Sequence, residues 1–256
     1  MRAIHTVVDG RPAGGSQDPL TAGDGTTPRS LEGGSTVHAS SPTVVVIEGI
    51  DGAGKSSQCG RVAERLTDRG LRVVTCAPDR PLRRVYKSLI DDADGFPDAR
   101  TSVLLGLADY AYATQDVPPA DVVLLDRYAY SSCADALALG MRPDQVLPLL
   151  RLFDAPDLTL FVDVSPREAL ARKGGACSLA EAGGPEVLRG AGSLPDAFVT
   201  YQNAVRDGFL RLFASHTGRH GFHVVDGERS LDDVTDALCD VVLRACGAGL
   251  PEAVDA

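Results

Sequence analysis

No block of basic residues occurs anywhere in the 256-residue chain, and the net charge is −10. A surface for duplex nucleic acid is thereby disfavoured, because the phosphate backbone would be repelled. No apolar run approaches the ~18 residues that a membrane-crossing helix needs. No basic segment followed by an apolar core opens the chain, so no secretory signal is read. The six cysteines (Cys59, Cys76, Cys133, Cys177, Cys239, Cys246) contain no C-x-x-C pair, and no His/Cys cluster has zinc spacing. They read as reduced core thiols of a cytoplasmic protein. His216, His220 and His223 lie near one another, but no cysteine or acid completes a ligand set. The absence of an N-K-x-D sequence argues against a guanine-reading switch protein. Lysine is scarce beside arginine, so a lysine set among glycines stands out.

That lysine is Lys55, in Gly49-Ile50-Asp51-Gly52-Ala53-Gly54-Lys55-Ser56, which fits G-x-x-x-x-G-K-[ST]. A chance match in a glycine-rich chain is the competing explanation, and the flanks argue against it. Thr43 to Ile47 is a β-branched run that reads as a buried strand. Ser57 to Arg69 carries Cys59, Val62, Ala63 and Leu66 at helical spacing. In a strand–loop–helix unit, Gly49, Gly52 and Gly54 let backbone N–H groups close around a phosphate, and the helix N-terminus adds its positive end. Lys55 would reach the β- and γ-phosphates of a bound nucleotide. Ser56 would hold Mg²⁺, with Ser57 beside it.

The remaining chain alternates between strand and helix. Residues 1–41 are rich in Gly, Ser, Thr and Pro and read as a disordered tail. A single domain spans 42–248, with strands near 43–48, 71–76, 122–125, 158–162 and 222–225. Residues 249–256 form a C-terminal tail, and the glycine-rich stretch 174–195 is the candidate lid. The spacing predicts an α/β fold: a doubly wound, five-stranded parallel sheet with helices on both faces. Ligands of such sheets bind beyond the carboxyl ends of the strands. Asp51, Asp79, Arg80, Asp126, Arg127 and Asp163 all fall just past those ends.

Asp126-Arg127 directly follows the third of these strands. An acid there can hold Mg²⁺, often through water. The planar fork of Arg127 suits phosphate oxygens. The bland alternative is a strand-end acid that merely caps the next helix.

Several segments together resemble thymidylate kinases. Val46 to Gln58 looks like the start of that family. Asp126-Arg127-Tyr128-Ala129-Tyr130-Ser131 matches its DR[YH]-x-x-S, and Ala155 to Val164 resembles its PDLT strand. Tyr201 to Phe213 is similar to its F-x-x-x-V-R-x-x-[YF]-L helix, and the likeness covers most of residues 43 to 245. The resemblance implies a P-loop nucleoside-monophosphate kinase that uses ATP and Mg²⁺. Asp51 would then contact the acceptor's sugar and bound metal or water. Arg80 and Arg127 would lie beside the acceptor phosphate. A homodimer through the helices near 98–115 and 130–153 is implied as well.

Two departures bear on the acceptor. Where the family has a base-stacking aromatic and, four residues on, a base-binding arginine, this chain has Gly106 and Tyr110. Tyr110 or Tyr112 would have to supply stacking differently, or the acceptor is not thymidylate. Family members with glycine at the Gly52 position usually carry catalytic arginines in the lid. Here Arg172, Lys173 and Arg189 are the available cations, with Arg172 preferred. A kinase of a non-nucleotide metabolite, with Asp51 as base, and a non-catalytic nucleotide-binding protein are the alternatives left open.

Overall fold

The computed structural model describes residues 5–8, 41–76, 81–91, 96–215 and 221–247. In chain order the elements are β1 (His5–Val8), β2 (Thr43–Glu48), α1 (Lys55–Asp68), β3 (Val73–Cys76), α2 (Pro81–Asp91), α3 (Ala99–Ala113), β4 (Val122–Asp126), α4 (Ala129–Ala138), α5 (Pro143–Leu150), β5 (Leu158–Asp163), α6 (Pro166–Arg172), α7 (Pro185–Ala191), α8 (Leu194–Phe213), β6 (Phe222–Asp226) and α9 (Leu231–Ala245).

The strands order β1-β3-β4-β2-β5-β6 in one sheet. The five expected strands, β2 to β6, run parallel, and all five residues of β4 are buried. Burial of consecutive strand residues requires cover on both faces, because successive side chains point to opposite sides. One helical layer contains α1 packed with α9. In a second, α4 lies between α3 and α8.

Composition alone placed residues 1–41 in a tail, but His5–Val8 joins the sheet as a sixth strand. It pairs antiparallel with β3, Val8 opposite Val73 and His5 opposite Cys76. A run of β-branched Thr6, Val7 and Val8 suits a strand, and the β3 edge offers unpaired backbone groups to satisfy. The rest of the expected tail, 9–40, lies outside the described residues, as do 249–256, Asp79, Arg80, His216 and His220.

Local chemistry sets the boundaries of the helix behind the loop. Cys59, Val62, Ala63 and Leu66 of α1 are buried, as their spacing predicts. The helix ends in a Schellman turn, in which Gly70 N–H donates to Thr67 O (2.8 Å) and Leu71 N–H to Leu66 O (3.2 Å). Gly70 takes φ +86° there, a backbone state that glycine adopts without a steric cost. On the opposite layer, Phe161 of β5 packs on Phe209 and Phe213 of α8 at 5.3 and 5.5 Å between ring centroids. Tyr130 of α4 meets Phe213 edge-on at 5.3 Å. This aromatic wedge fixes α4 and α8 against the strand beside β2, and both helices carry site residues.

β2 occupies the centre of the parallel strands, between β4 and β5. Ile47, just before the glycine loop, pairs with Asp126. The two segments singled out as chemical are therefore neighbours at the carboxyl edge of the sheet.

Candidate active site

The glycine loop is tightly seated. A Cβ on Gly49 would lie 2.7 Å from the Val162 carbonyl oxygen, and one on Gly52 would lie 2.6 Å from that of Ala169. Gly52 also has φ +86°. α1 begins at Gly54 with no side-chain cap and no acid in its first turn. Its first N–H groups and positive end are thus left for an anion. Lys55 is folded back over the loop, where its Nζ donates to Gly49 O (2.7 Å) and Ile50 O (2.6 Å). Burial, with the nearby Arg127 charge, pulls the Lys55 ammonium down to about 7 despite Asp51, Glu48 and Asp126. Ser56 and Ser57 are exposed at the start of the helix.

Asp51 and Arg127 meet across the site. Arg127 Nη2 donates to Asp51 Oδ1 at 2.5 Å, each side chain retaining 27% exposure. Burial works against the Asp51 carboxylate, but Arg127 and Lys55 outweigh it and hold the group well below the usual carboxylate range. The Arg127 guanidinium is pushed above its ordinary value, because Asp51 overcomes the effect of burial. Arg127 has φ +75°, a left-handed backbone that is rare outside glycine. Such outliers persist where surrounding structure over-determines them, and they cluster at functional sites.

Asp126 is buried, and its Oδ1 has no hydrogen-bond partner. An orphaned carboxylate oxygen beside the phosphate loop costs free energy unless something fills its valence. Mg²⁺, a hard cation that takes oxygen ligands, fits this atom and the hydroxyl of Ser56.

Glu48, the last residue of β2, is completely buried. Its Oε1 accepts from Tyr128 N–H (2.8 Å) and its Oε2 from the Ser131 hydroxyl (2.7 Å). Burial pushes its carboxyl up to about 7, against the opposing pull of Ser131, Arg127 and Lys55.

The glycine-rich stretch 174–195 is linked to the loop through a short relay. Asp51 N–H donates to Gln202 Oε1 (3.1 Å), and Gln202 Nε2 donates to Glu181 O (2.8 Å). The Glu181 carboxylate binds Lys173 Nζ at 2.8 Å. Lys173 is among the charges that lower Asp51. Arg172, the cation preferred from sequence, is instead bound to Glu168 Oε1 (2.9 Å) and Gly227 O (2.8 Å). Arg189 sits on α7 and is mostly exposed. The stretch 174–195 thus contains one short helix in addition to its glycines.

At Gly106, where the sequence reading expected the acceptor's base, a Cβ would lie 2.0 Å from Ser132 Oγ and 3.0 Å from its Cβ. α3 and α4 meet where a ring would stand. Tyr110 is buried with its ring 6.5 Å from that of Tyr128. Asp51, Arg127, Ser131, Asp135 and Gln202 line a polar cavity of about 10 Å³, room for one water.

Comparison with known proteins agrees with this geometry. A family profile described as thymidylate kinase matches residues 47–184. The chain is 31% identical to a "Probable thymidylate kinase" of Thermococcus gammatolerans over 220 residues, 80% of this chain and 98% of that one. It is 34% identical to the thymidylate kinase of Ruegeria pomeroyi over 215 residues (78% and 93%). Identity to that of Nitratidesulfovibrio vulgaris is also 34%, over 219 residues (80% and 97%). The chain belongs to the thymidylate kinase family.

The matched range 47–184 takes in the phosphate loop, the Asp126-Arg127 turn and Gly106. Sequence reasoning missed Gln202, Glu181 and Ser131 as site residues. A signal for Gln202 was present, because it interrupts an apolar stripe on α8 formed by Phe198, Val205 and Phe209. Ser131 was visible only as the serine that closes the DR[YH]-x-x-S match, with no sign that it would bind Glu48, and Glu181 carried no signal at all, because its part depends on how the 174–195 stretch folds back on Lys173 and Gln202.

Proposed function

We propose that this protein transfers the γ-phosphoryl group of ATP to the phosphate of thymidylate or a closely related deoxynucleoside monophosphate. The observation that carries this reading is the convergence of Lys55, Asp51, Asp126 and Arg127 at the carboxyl edge of β2 and β4, in a chain of this family.

The acceptor phosphate is already anionic, so no strong general base is required, and catalysis is mostly positioning and charge neutralisation. Lys55 leaves the loop carbonyls for the β- and γ-phosphates. Arg127 exchanges the Asp51 carboxylate for the acceptor phosphate, a task in which the family resemblance gives Arg80, outside the described residues, a share. Asp51, so released, is free to orient the acceptor's sugar or a water. Lys173, whose charge is felt at Asp51, would have to leave only Glu181 to follow the transferring charge, whereas Arg172 would first have to break two contacts. Ser56 and Asp126 would hold Mg²⁺, which supplies charge neutralisation on the nucleotide phosphates.

The closed space at Gly106 favours a second reading of the acceptor alone. Without a stacking ring and a base-binding arginine, discrimination against other bases weakens. Incubation with Mg-ATP and a panel of nucleoside monophosphates tests both readings. Turnover confined to thymidylate supports the first, comparable turnover of several monophosphates supports the second, and none with any of them refutes the function. We place the enzyme in the cytoplasm, in keeping with the sequence reading of reduced core thiols; separately, none of the described helices is long and apolar enough to cross a membrane. A homodimer through α3 is consistent with the exposed apolar positions Leu104, Ala108 and Ala111 on one side of that helix.

A further inference from the structure

We infer that Glu48 is a positioning residue for Arg127: its buried carboxylate clamps the backbone on the far side of that arginine and so sets where the acceptor phosphate is bound. The inference rests on the phosphoryl-transfer reading above and deepens it by adding a residue that touches neither substrate.

Arg127 is bracketed. On its own N–H side it donates to Ile47 O at 3.1 Å. The next N–H, that of Tyr128, donates to Glu48 Oε1, and four residues on from Arg127 the Ser131 hydroxyl donates to Oε2. Ile47 and Glu48 are consecutive residues at the end of β2, so one strand end holds both flanks of the turn. What lies between those holds is the left-handed backbone of Arg127, at φ +75°. A non-glycine residue in that region is strained and needs external support.

A structural role for Glu48 without this function is a poor explanation of its chemistry. Removing a carboxylate from water costs several kcal/mol, which hydrogen bonds only partly offset. A serine or threonine at position 48 could not accept from both Tyr128 N–H and the Ser131 hydroxyl at once. A carboxylate has two oxygens at the right separation for two donors one helical turn apart, and it is acceptor-only when ionised. The two donors belong to the first turn of α4, whose start directs the Arg127 side chain across to Asp51. Since Arg127 must give up Asp51 to take a phosphate, its side chain moves while its backbone stays fixed by Glu48. Displacing a reacting group by 1 Å can cost about 10²-fold in rate.

The test uses the full chain with Mg-ATP and whichever monophosphate it turns over best. Steady-state kinetics on Glu48→Leu, Glu48→Gln and Ser131→Ala are read beside ATP affinity by calorimetry and thermal melting. Glu48→Leu removes both acceptors and is expected to lower acceptor kcat/KM by about 10²-fold, with ATP affinity changed less than about threefold. Glu48→Gln retains an acceptor for Tyr128 N–H and presents an amide to the Ser131 oxygen, so it recovers most of that loss. Ser131→Ala removes one of the two holds and gives a smaller loss of the same kind, which decides the matter if Glu48→Leu does not fold. Equal losses in ATP affinity and acceptor kcat/KM would show general loop damage and overturn the inference. Acceptor kinetics unchanged in all three variants would overturn it as well, as would a Glu48→Gln protein as impaired as Glu48→Leu. A wild-type protein that phosphorylates no monophosphate fails the functional reading in the first arm, before any variant is compared.

Discussion

At the scale of single residues, Lys55 and Glu48 give the site an unusual proton balance. Burial moves the lysine down and the glutamate up, both to about 7. Between 4.5 and about 7 the folded chain holds a proton on Glu48 that the unfolded chain has lost, so this contribution to stability falls as pH rises. Between about 7 and 10.5 the unfolded chain holds a proton on Lys55 that the folded chain has lost, so stability recovers as pH rises. The two contributions make the ligand-free protein least stable near neutrality. Melting temperatures across this range should show the dip, and Glu48→Gln should remove its acidic limb. Nucleotide phosphates would restore the ammonium form of Lys55. ATP binding at pH 8 should therefore take up close to one proton, seen as a dependence of the binding enthalpy on the ionisation enthalpy of the buffer. Lys55→Ala should abolish both that uptake and turnover. At Gly52, alanine would combine φ +86° with a Cβ 2.6 Å from a backbone carbonyl. Gly52→Ala is expected to cost about 1–3 kcal/mol of stability and to weaken ATP binding, both measurable in one melting series with and without nucleotide.

At the scale of elements, legibility followed whether a role is local in sequence. β2, the loop and α1 were readable because strand propensity, glycine spacing and helical period all fall within one continuous stretch. Asp126 was readable because a four-residue apolar run ends directly before it. The lid was less so: Arg172 and Lys173 are adjacent in sequence, and only the contacts to Gly227 and Glu181 show which one turns toward Asp51. Lys173→Ala should therefore lower kcat by ~10-fold or more with little change in folding, since one electrostatic contact to a developing charge is worth at least that much. Arg172→Ala should act mainly on stability, because it frees Glu168 and a loop carbonyl. Parallel kinetic and melting measurements separate the two. Gly106 shows the same limit. From sequence it is a missing ring. In the fold it is the point where α3 rests on Ser132. Gly106→Phe alone should be destabilised by about 1–3 kcal/mol through overpacking. Pairing it with Ser132→Gly should recover part of that loss, a coupling read from a double-mutant cycle.

At the scale of the whole molecule, the five-stranded parallel part was predictable from the alternation of strand and helix. The sixth strand was not, because four residues in a polar, glycine-rich stretch carry too little pattern to mark a strand. The apolar side of α3 belongs to this scale as well. Leu104 is 52% exposed; light scattering should find the proposed homodimer in the wild type and a monomer in Leu104→Glu, with the fold intact, and a monomeric wild type would refute that proposal. The sixth strand has a practical consequence. Because β1 runs against its neighbour, His5 stands beside Cys76 at the end of the sheet where the phosphate loop lies, while Val8 and Thr43 stand at the opposite end. An affinity tag or fluorophore fused ahead of His5 would start from the same end of the sheet as the phosphate loop, three strand positions from β2. The same group inserted between residues 9 and 42 would be anchored on the remote side, a safer place to attach a handle or a reporter.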